Sequence, residues 1–215
     1  MGKRLILGLA LVILVATCVP TIGNRVEGLT YKSPMEINIG PGEFLPGTDI
    51  QYLGKTEDGA QVSIGGQQAL KKIGDSLSWE GDLLDGASLD LDLRLALIAE
   101  EKLHLLGTAQ VVIPDPAPQP GQPNRSAPIH YKLVVDHHIK KGQAIPGTQV
   151  LYIGETADGA RLANIDGYPY RKVGDSIVWE GQIRDRIWLE LNLRAALVTE
   201  GTLNVAGTAD LWVAP

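Results

Sequence analysis

The octapeptide Gly74-Asp-Ser-Leu-Ser-Trp-Glu-Gly81 returns 100 residues later as Gly174-Asp-Ser-Ile-Val-Trp-Glu-Gly181. The same offset aligns 31–113 with 131–213 without a gap, and 32 of these 83 paired positions are identical. Such a regular internal match indicates that the chain contains two copies of one structural unit. We therefore predict two tandem homologous domains in this chain of 215 residues.

The clearest strand in the sequence alternates leucine with other residues from Leu89 to Leu97, and the second copy repeats the pattern from Leu189 to Leu197. Strict alternation places the leucines of the first copy on one face of a strand, whereas a helix would scatter them around its circumference. A half-buried strand is therefore predicted here, with the leucines facing a core.

Turn residues separate such runs throughout both copies. Asp58-Gly59 and Asp158-Gly159 predict hairpins, because Asp-Gly suits the positive φ angles of a type I′ turn. Gly107 and Gly207 interrupt the last strand of each copy and predict a β-bulge or a close approach of another backbone. The expected fold class is all-β: two antiparallel β-sandwich-like domains of about seven strands each, with small barrels as the alternative.

The N-terminus carries the features of an export signal. Lys3 and Arg4 precede an uncharged run of 15 residues from Leu5 to Val19. A bilayer span needs roughly 20 apolar residues, so this run fits an uncleaved signal-anchor or a cleaved signal peptide. We predict an anchor at 1–23, followed by extracytoplasmic domains, with secretion as the alternative. The apolar side chains assigned to the anchor are Leu5, Leu9, Leu11, Leu14 and Cys18.

Cys18 is the only cysteine, which excludes an internal disulfide and a metal site built from cysteines. Lipidation at Cys18 is a third alternative, because residues 15–18 loosely resemble the end of a bacterial lipoprotein signal. Thr17 departs from that signal, which normally carries Gly or Ala before the cysteine. A small apolar side chain within the anchor helix is the favoured interpretation of Cys18.

Composition divides the chain after the anchor into four segments. They are a polar spacer at 24–30, the first β-domain at 31–113, a linker at 114–129 and the second β-domain at 130–215. The linker holds six prolines, which remove backbone donors and fix φ. A semi-rigid extended spacer is predicted, with the two domains held on a stiff tether.

The net charge of −6 is shared unevenly between the copies. Residues 31–113 carry thirteen acidic and six basic side chains, whereas residues 131–215 carry ten and nine. Neither copy has the basic stripe that phosphate neutralisation requires. We therefore predict no nucleic-acid partner.

Four tryptophans are the candidate binding residues. Trp79 and Trp179 occupy equivalent positions and fit either a core or a sugar-stacking site, and the core is favoured because large aromatic side chains are mostly buried. Trp188 and Trp212 occur only in the second copy. They are candidates for a binding or membrane-facing patch, although a diverged sheet face is the commoner explanation.

Asp136 and His138 are the candidate metal ligands, because residues two apart on a strand share a face. A solvated strand end is the commoner meaning of such a pair. A weak Ca²⁺ site is a further hypothesis for the acidic side chains of the first copy, which are Asp82, Asp85, Asp90 and Asp92. No cofactor is predicted and no catalytic residue is assigned, because the sequence holds no nucleophile elbow, zinc-protease motif or phosphate-binding loop.

These features predict a non-enzymatic, membrane-anchored extracytoplasmic protein that acts as a structural or interaction module. The expected partners are the membrane, through the N-terminal helix, and other proteins or further copies of this chain, through exposed strand edges. Two alternatives stay open. One is an accessory subunit of a membrane protein complex. The other is an exported carbohydrate-binding or hydrolytic domain, which requires a tryptophan and at least two carboxylates in one cleft.

Overall fold

The computed structural model describes residues 28–84 and 86–215, and this part of the chain is all-β without a helix. The predicted fold class is confirmed at that level, and the strands pair antiparallel. The predicted anchor residues Leu5, Leu9, Leu11, Leu14 and Cys18 lie outside the described residues, as does Asp85. Within the described ranges no helix is long and apolar enough to cross a membrane.

The first half of the chain folds into two sheets. Its strands are β1 (Gly28–Ile39), β2 (Ile50–Thr56), β3 (Gly59–Ile64), β4 (Gln67–Lys71), β5 (Ser76–Leu84), β6 (Ala87–Ile98) and β7 (Leu103–Pro114). One sheet has the order β1-β7-β6-β5 and the other has the order β2-β3-β4. Ile50, Tyr52 and Val62 of the smaller sheet are fully buried in the same core as the β6 leucines.

The second half repeats this arrangement with one added strand. Its strands are β8 (Gln119–Pro120), β9 (Ile129–Lys140), β10 (Leu151–Thr156), β11 (Gly159–Ala163), β12 (Tyr170–Arg171), β13 (Ser176–Arg184), β14 (Ile187–Val198) and β15 (Thr202–Val213). The large sheet has the order β8-β13-β14-β15-β9 and the small sheet has the order β10-β11-β12. The pairing register is the same in both halves: Ser76 opposes Arg94, and Ser176 opposes Arg194.

Both predicted hairpins form, but their turns lie one residue before the Asp-Gly pairs. β2 ends at Thr56, which pairs with Gly59 at the start of β3, so Glu57 and Asp58 are the central residues of the turn. Neither of these two residues has a positive φ. The type I′ assignment is therefore wrong, and the second half shows the same pairing.

The predicted leucine face of β6 is confirmed from Leu89 to Leu95, where the alternate leucines are buried. Leu97 is instead 50% exposed. β6 slips by one residue against β7 between Leu95 and Leu97, and such a slip turns the next side chain to the other face. The prediction is wrong for this last leucine.

Gly107 and Gly207 lie where two neighbouring strands approach closely. A Cβ on Gly107 would stand 2.0 Å from the carbonyl oxygen of Asp92, and one on Gly207 would stand 2.1 Å from that of Asn192. The close backbone approach is therefore the correct alternative of the two predicted for these glycines. The nearby bulge belongs to the facing strand rather than to the glycine.

The two halves pack on each other around one continuous core. The Tyr31 hydroxyl donates to the Pro146 carbonyl at 3.1 Å, and the Tyr131 hydroxyl donates reciprocally to the Pro46 carbonyl. Each tyrosine lies on the first long strand of one half, and each carbonyl lies in a Pro-Gly-Thr turn of the other. The halves are therefore in direct contact and are not held apart by a stiff tether, while the division of the chain into two domains stays a prediction.

The linker also packs against the second half. Gln119 and Pro120 form β8 at the edge of β13. The N–H groups of Ala117 and Gly121 donate to carbonyls of β13 at 2.8 and 3.1 Å. Proline is tolerated in an edge strand, because its missing donor faces away from the ladder. The linker is therefore packed on the edge of β13, and the predicted role as a spacer between the halves is wrong.

His137 lies on β9 at the contact between the halves, with its ring 6.1 Å from the Tyr31 ring. Its Nε2 atom is buried and has no hydrogen-bond partner among the described residues. Burial lowers the pKa of His137, and the neighbouring Asp136 carboxylate opposes this shift only in part. Because the unfolded chain takes up this proton near pH 6.5 and the folded chain does so only at lower pH, stability falls as the pH drops through about 6.5.

The substitution His137→Ile introduces the residue that the first half carries at the matching position, Ile37. We expect it to raise the free energy of unfolding at pH 7.5 by about 1 kcal/mol, because it removes an unpaired buried nitrogen. The loss of stability between pH 7.5 and pH 5.5 becomes smaller for the same reason. Urea unfolding followed by tryptophan fluorescence at both pH values measures the two effects.

The exposed neighbour provides the control for this experiment. His138→Asn, which also copies the first half, is expected to change stability by less than about 0.5 kcal/mol at either pH. A His137→Ile protein that loses as much stability as the wild type between pH 7.5 and pH 5.5 contradicts this account of the histidine.

Candidate functional site

A cleft of about 530 Å³ opens beside β13 in the second half. Residues 120–122 of the linker form one wall, residues 164–166 of the loop between β11 and β12 form another, and β13 lies between them. Trp179 and Glu180 of β13 line the cleft together with Asp166 of the loop. We name it the Trp179 cleft.

The edge of β13 presents unpaired backbone to this cleft. The Arg171 side chain donates to the Ser176 carbonyl at 2.8 Å, and the Gly121 N–H donates to the Glu180 carbonyl at 3.1 Å, so both carbonyls point away from β14. Residues two apart on a strand point the same way, and the N–H and C=O of Val178 therefore face the cleft as well. No backbone group of the described linker or loop bonds them.

Trp179 forms part of the cleft lining with an indole N–H that has no described partner. The side chain is only 7% exposed, and its ring lies over Gly181, where a Cβ would stand 2.6 Å from Cη2. The Nε1 atom is buried and makes no hydrogen bond with any described residue. A buried indole normally finds an acceptor, so an unpaired one distinguishes Trp179 from most buried tryptophans.

The first half shows why this donor is unpaired. Trp79, which is half-buried, donates its indole N–H to the Asp49 carboxylate at 2.9 Å. The matching residue of the second half is Gln149, whose amide instead donates to the Pro118 carbonyl at 2.6 Å. The second half thus has, at the position that matches the indole acceptor of the first half, a side chain that holds the linker.

The charged side chains of the cleft differ in how many of their polar atoms already have a hydrogen-bond partner. The guanidinium of Arg171 donates to the carbonyls of Tyr168, Tyr170 and Ser176, so it ties the loop to β13. Glu180 accepts a hydrogen bond from Arg125 of the linker at 2.9 Å. Asp166 has no hydrogen-bond or ion-pair partner among the described residues, which leaves its carboxylate available within the cleft.

Trp188 and Trp212 are brought together, but away from the Trp179 cleft. They oppose each other across β14 and β15, on the face of the sheet opposite to Trp179. His130 stacks on Trp212 with ring centroids 4.9 Å apart, and the Arg125 guanidinium lies 6.0 Å from the Trp212 ring centroid. Trp212 is 7% exposed, so this pair is a packed sheet face that the linker partly covers.

Asp136 and His138 share the outer face of β9, as the alternation predicts, and both are exposed. His138 Nδ1 lies 2.6 Å from the Asn204 amide oxygen. Within the described ranges no three His, Cys, Asp or Glu side chains gather into a group that fits a metal ion. The metal role of this pair, like the Ca²⁺ hypothesis for the first copy, stays a prediction.

Sequence reasoning misses the Trp179 cleft, although one signal points to it. The longest run without identity between the copies aligns 61–71 with 161–171. There the five residues of β4 are replaced by the two residues of β12, and Asn164 adopts a φ of 57°. A run that diverges within an otherwise well-matched repeat is where a new surface is expected.

The loop residues 164–166 of the cleft thus lie in the run where the two halves differ most, whereas Ser176, Trp179 and Glu180 of β13 are the same in both halves. Comparison of the chain with protein-family models, with curated proteins and with solved structures finds no match.

Proposed function

We propose that this chain is a non-enzymatic, membrane-anchored extracytoplasmic interaction protein, and that the Trp179 cleft binds an extended segment of a partner protein. The segment adds a strand to β13. The observation that supports this is the unpaired backbone of Val178, next to the stretch of the same edge that β8 already occupies. Strand addition supplies affinity through backbone bonds, and neighbouring side-chain pockets supply specificity.

The chemistry of the cleft suits a peptide. Main-chain groups at Val178 offer one donor and one acceptor to an extended backbone. The carboxylate of Asp166 favours a partner segment with a basic or hydroxyl-bearing side chain. β8 illustrates the binding mode, because it is an extended segment of this same chain on the same edge.

The fold interpretation that accompanies this proposal is a duplicated unit: two tandem homologous β-sandwich-like domains, of which the second has diverged at its β11–β12 loop. If the partner resides in the membrane, the protein is an accessory subunit of a membrane complex. The predicted N-terminal anchor places the cleft on the extracytoplasmic side in either case.

A second candidate function is an exported carbohydrate-binding or hydrolytic domain. Its support is that Trp179, Asp166 and Glu180 line one cleft, which is the combination such a domain requires. Glu180, however, is engaged by Arg125 at 2.9 Å, and the Trp179 ring lies over Gly181 rather than standing free for a sugar to stack on. We therefore rank the peptide first.

Binding to the edge of β13 is tested with two substitutions at one position. Val178→Pro removes the donor that faces the cleft and leaves the bonds to β14, whereas Val178→Ser copies the first half and keeps the backbone donor. Full-length protein in detergent micelles serves as bait for a phage-displayed library of random peptides, each long enough for one strand. Selected peptides are expected to bind Val178→Ser like the wild type and Val178→Pro at least about tenfold more weakly.

A second measurement keeps the test decisive if Val178→Pro does not fold. Selected peptides that are N-methylated at alternate backbone positions are expected to lose affinity for the wild-type protein, because strand pairing needs their N–H groups. Equal enrichment on the wild type and on folded Val178→Pro contradicts strand addition. Oligosaccharide binding that Asp166→Asn abolishes, without peptide enrichment, would instead establish the second candidate.

A further inference from the structure

One end of the Trp179 cleft is closed by a guanidinium. Arg171 lines the cleft, and its Nε atom donates to the Ser176 carbonyl at 2.8 Å. Because this carbonyl points away from β14, a further strand on the edge of β13 would bond it through a backbone N–H. The Arg171 side chain takes the place of that backbone. A segment that pairs with Val178 therefore cannot continue past Ser176 along the same edge.

The other end of the cleft has a different chemistry. The Gly121 N–H of the linker donates to the Glu180 carbonyl at 3.1 Å and closes the edge there. The Glu180 carboxylate already accepts from the Arg125 guanidinium at 2.9 Å. This end therefore offers backbone and a carboxylate with a cation beside it, whereas the Arg171 end offers a positive charge.

Arg171 keeps donors for a further group. A guanidinium carries five N–H bonds, and those of Nε and Nη1 are directed at the carbonyls of Ser176, Tyr168 and Tyr170. Its Nη2 atom makes no hydrogen bond with a residue in 28–84 or 86–215, and no carboxylate in those ranges forms an ion pair with Arg171. A half-buried guanidinium with unused donors favours a carboxylate, whose geometry and charge both match it.

The direction of β8 indicates which carboxylate this is. β8 runs antiparallel to β13, and a segment that follows the same direction past Val178 brings its C-terminal end to Arg171. The opposite direction would bring an N-terminal ammonium against the guanidinium, and such like charges repel. The carboxylate of Asp166, on the facing loop, is left for a basic side chain of the same segment.

We propose that the Trp179 cleft binds the C-terminus of a partner protein, with the terminal carboxylate on Arg171 and a residue just before it paired with Val178. This assignment rests on the proposed strand addition to β13 and narrows the partner to a chain with a free C-terminus. Backbone pairing along an edge and capture of a terminal carboxylate are both established ways of recognising a peptide.

Peptides that differ only in their last group test the assignment. A library of random peptides with free C-termini is selected on full-length protein in detergent micelles, and the selected peptides are synthesised with a terminal carboxylate or a terminal carboxamide. The wild type is expected to bind the carboxylate form at least about tenfold more tightly, measured by fluorescence anisotropy. Arg171→Gln is expected to bind both forms equally. The control is Lys172→Gln, which removes an exposed cation outside the cleft lining and is expected to keep the tenfold preference.

Two results overturn the assignment while strand addition stands. One is equal binding of both forms to the wild type, with weaker binding of both to Val178→Pro. The other is a preference for the carboxylate that persists in folded Arg171→Gln. The comparison on the wild type needs no variant, so it decides the question even if Arg171→Gln does not fold. Selected peptides that bind folded Val178→Pro as well as Val178→Ser would instead contradict strand addition, and the assignment to a C-terminus with it.

Discussion

Replacing Gly107 by alanine is expected to lower the free energy of unfolding by about 3 kcal/mol or more. The added Cβ would stand 2.0 Å from the Asp92 carbonyl oxygen and 2.8 Å from the Leu93 Cα, both of which belong to backbone and cannot rotate away. β6 and β7 would have to separate at the centre of the sheet, which also disturbs the leucines beneath them. Urea unfolding followed by tryptophan fluorescence measures the effect.

Gly201→Ala is the control for this substitution. No atom lies within 4 Å of the position that its Cβ would occupy, so the change is expected to be within about 0.5 kcal/mol. Gly207→Ala should match Gly107→Ala, because its Cβ meets the Asn192 carbonyl oxygen at 2.1 Å. A loss at Gly107 no larger than the loss at Gly201 contradicts the close approach of the two strands.

Replacing Gly147 by alanine is expected to cost about 3 kcal/mol and to do so through the contact between the halves. Its Cβ would stand 2.6 Å from the Tyr31 hydroxyl and 3.0 Å from Leu29, both of the first half, and 2.7 Å from Leu189 of the second. The φ of Gly147 is 78°, which adds roughly 1 kcal/mol or more for any residue with a Cβ. Unfolding by urea reports the total.

Gly142→Ala separates the two causes. Gly142 has a φ of 84°, and no atom lies within 4 Å of the point where an added Cβ would stand, so its substitution reports the backbone penalty alone. The difference between the two variants then measures the packing of the halves, and we expect about 2 kcal/mol. Equal losses for Gly147→Ala and Gly142→Ala would mean that the halves do not pack as described.

Much of the fold follows from local pattern. The alternation in β6 identifies a half-buried strand because every second residue of a strand meets the same face, and it misplaces only Leu97, where a bulge changes the register. The close approach at Gly107 could be predicted from the sequence, because glycine in the interior of a strand is otherwise unfavourable. The Asp-Gly pair misplaces the hairpin turn at Glu57-Asp58 by one residue, since it indicates a turn without fixing which residues are central.

The packing of the halves could not be predicted from local pattern. The bond from Tyr31 to Pro146 joins residues 115 apart, and nothing in either segment alone indicates the other. Both Tyr31 and Pro46 recur at the same offset, which marks them as common to the copies but fits an internal role in each copy equally well. The prolines of the linker mislead for a related reason, because a segment that cannot form the centre of a sheet still fits its edge.

The candidate site depends on differences between the copies rather than on a motif. Trp79 and Trp179 are identical in sequence, yet Asp49 pairs the first indole and Gln149 leaves the second unpaired. The cleft lies where β12 is shorter than β4, and the loop before β12, in which Asn164 has a φ of 57°, forms one of its walls. Loop geometry of this kind is set by tertiary contacts, such as those of Arg171 with three carbonyls, and not by periodicity.

The most direct test of the central claim is the exchange rate of the Val178 amide hydrogen. This rate is measured by NMR with and without a peptide that was selected on the full-length protein. In the free protein this hydrogen faces the open cleft and is expected to exchange rapidly, while the Ile177 and Trp179 amides, which bond β14, exchange slowly. Strand addition predicts that the peptide slows exchange at Val178 by about tenfold or more. An exchange rate at Val178 that the bound peptide leaves unchanged would contradict the proposed function.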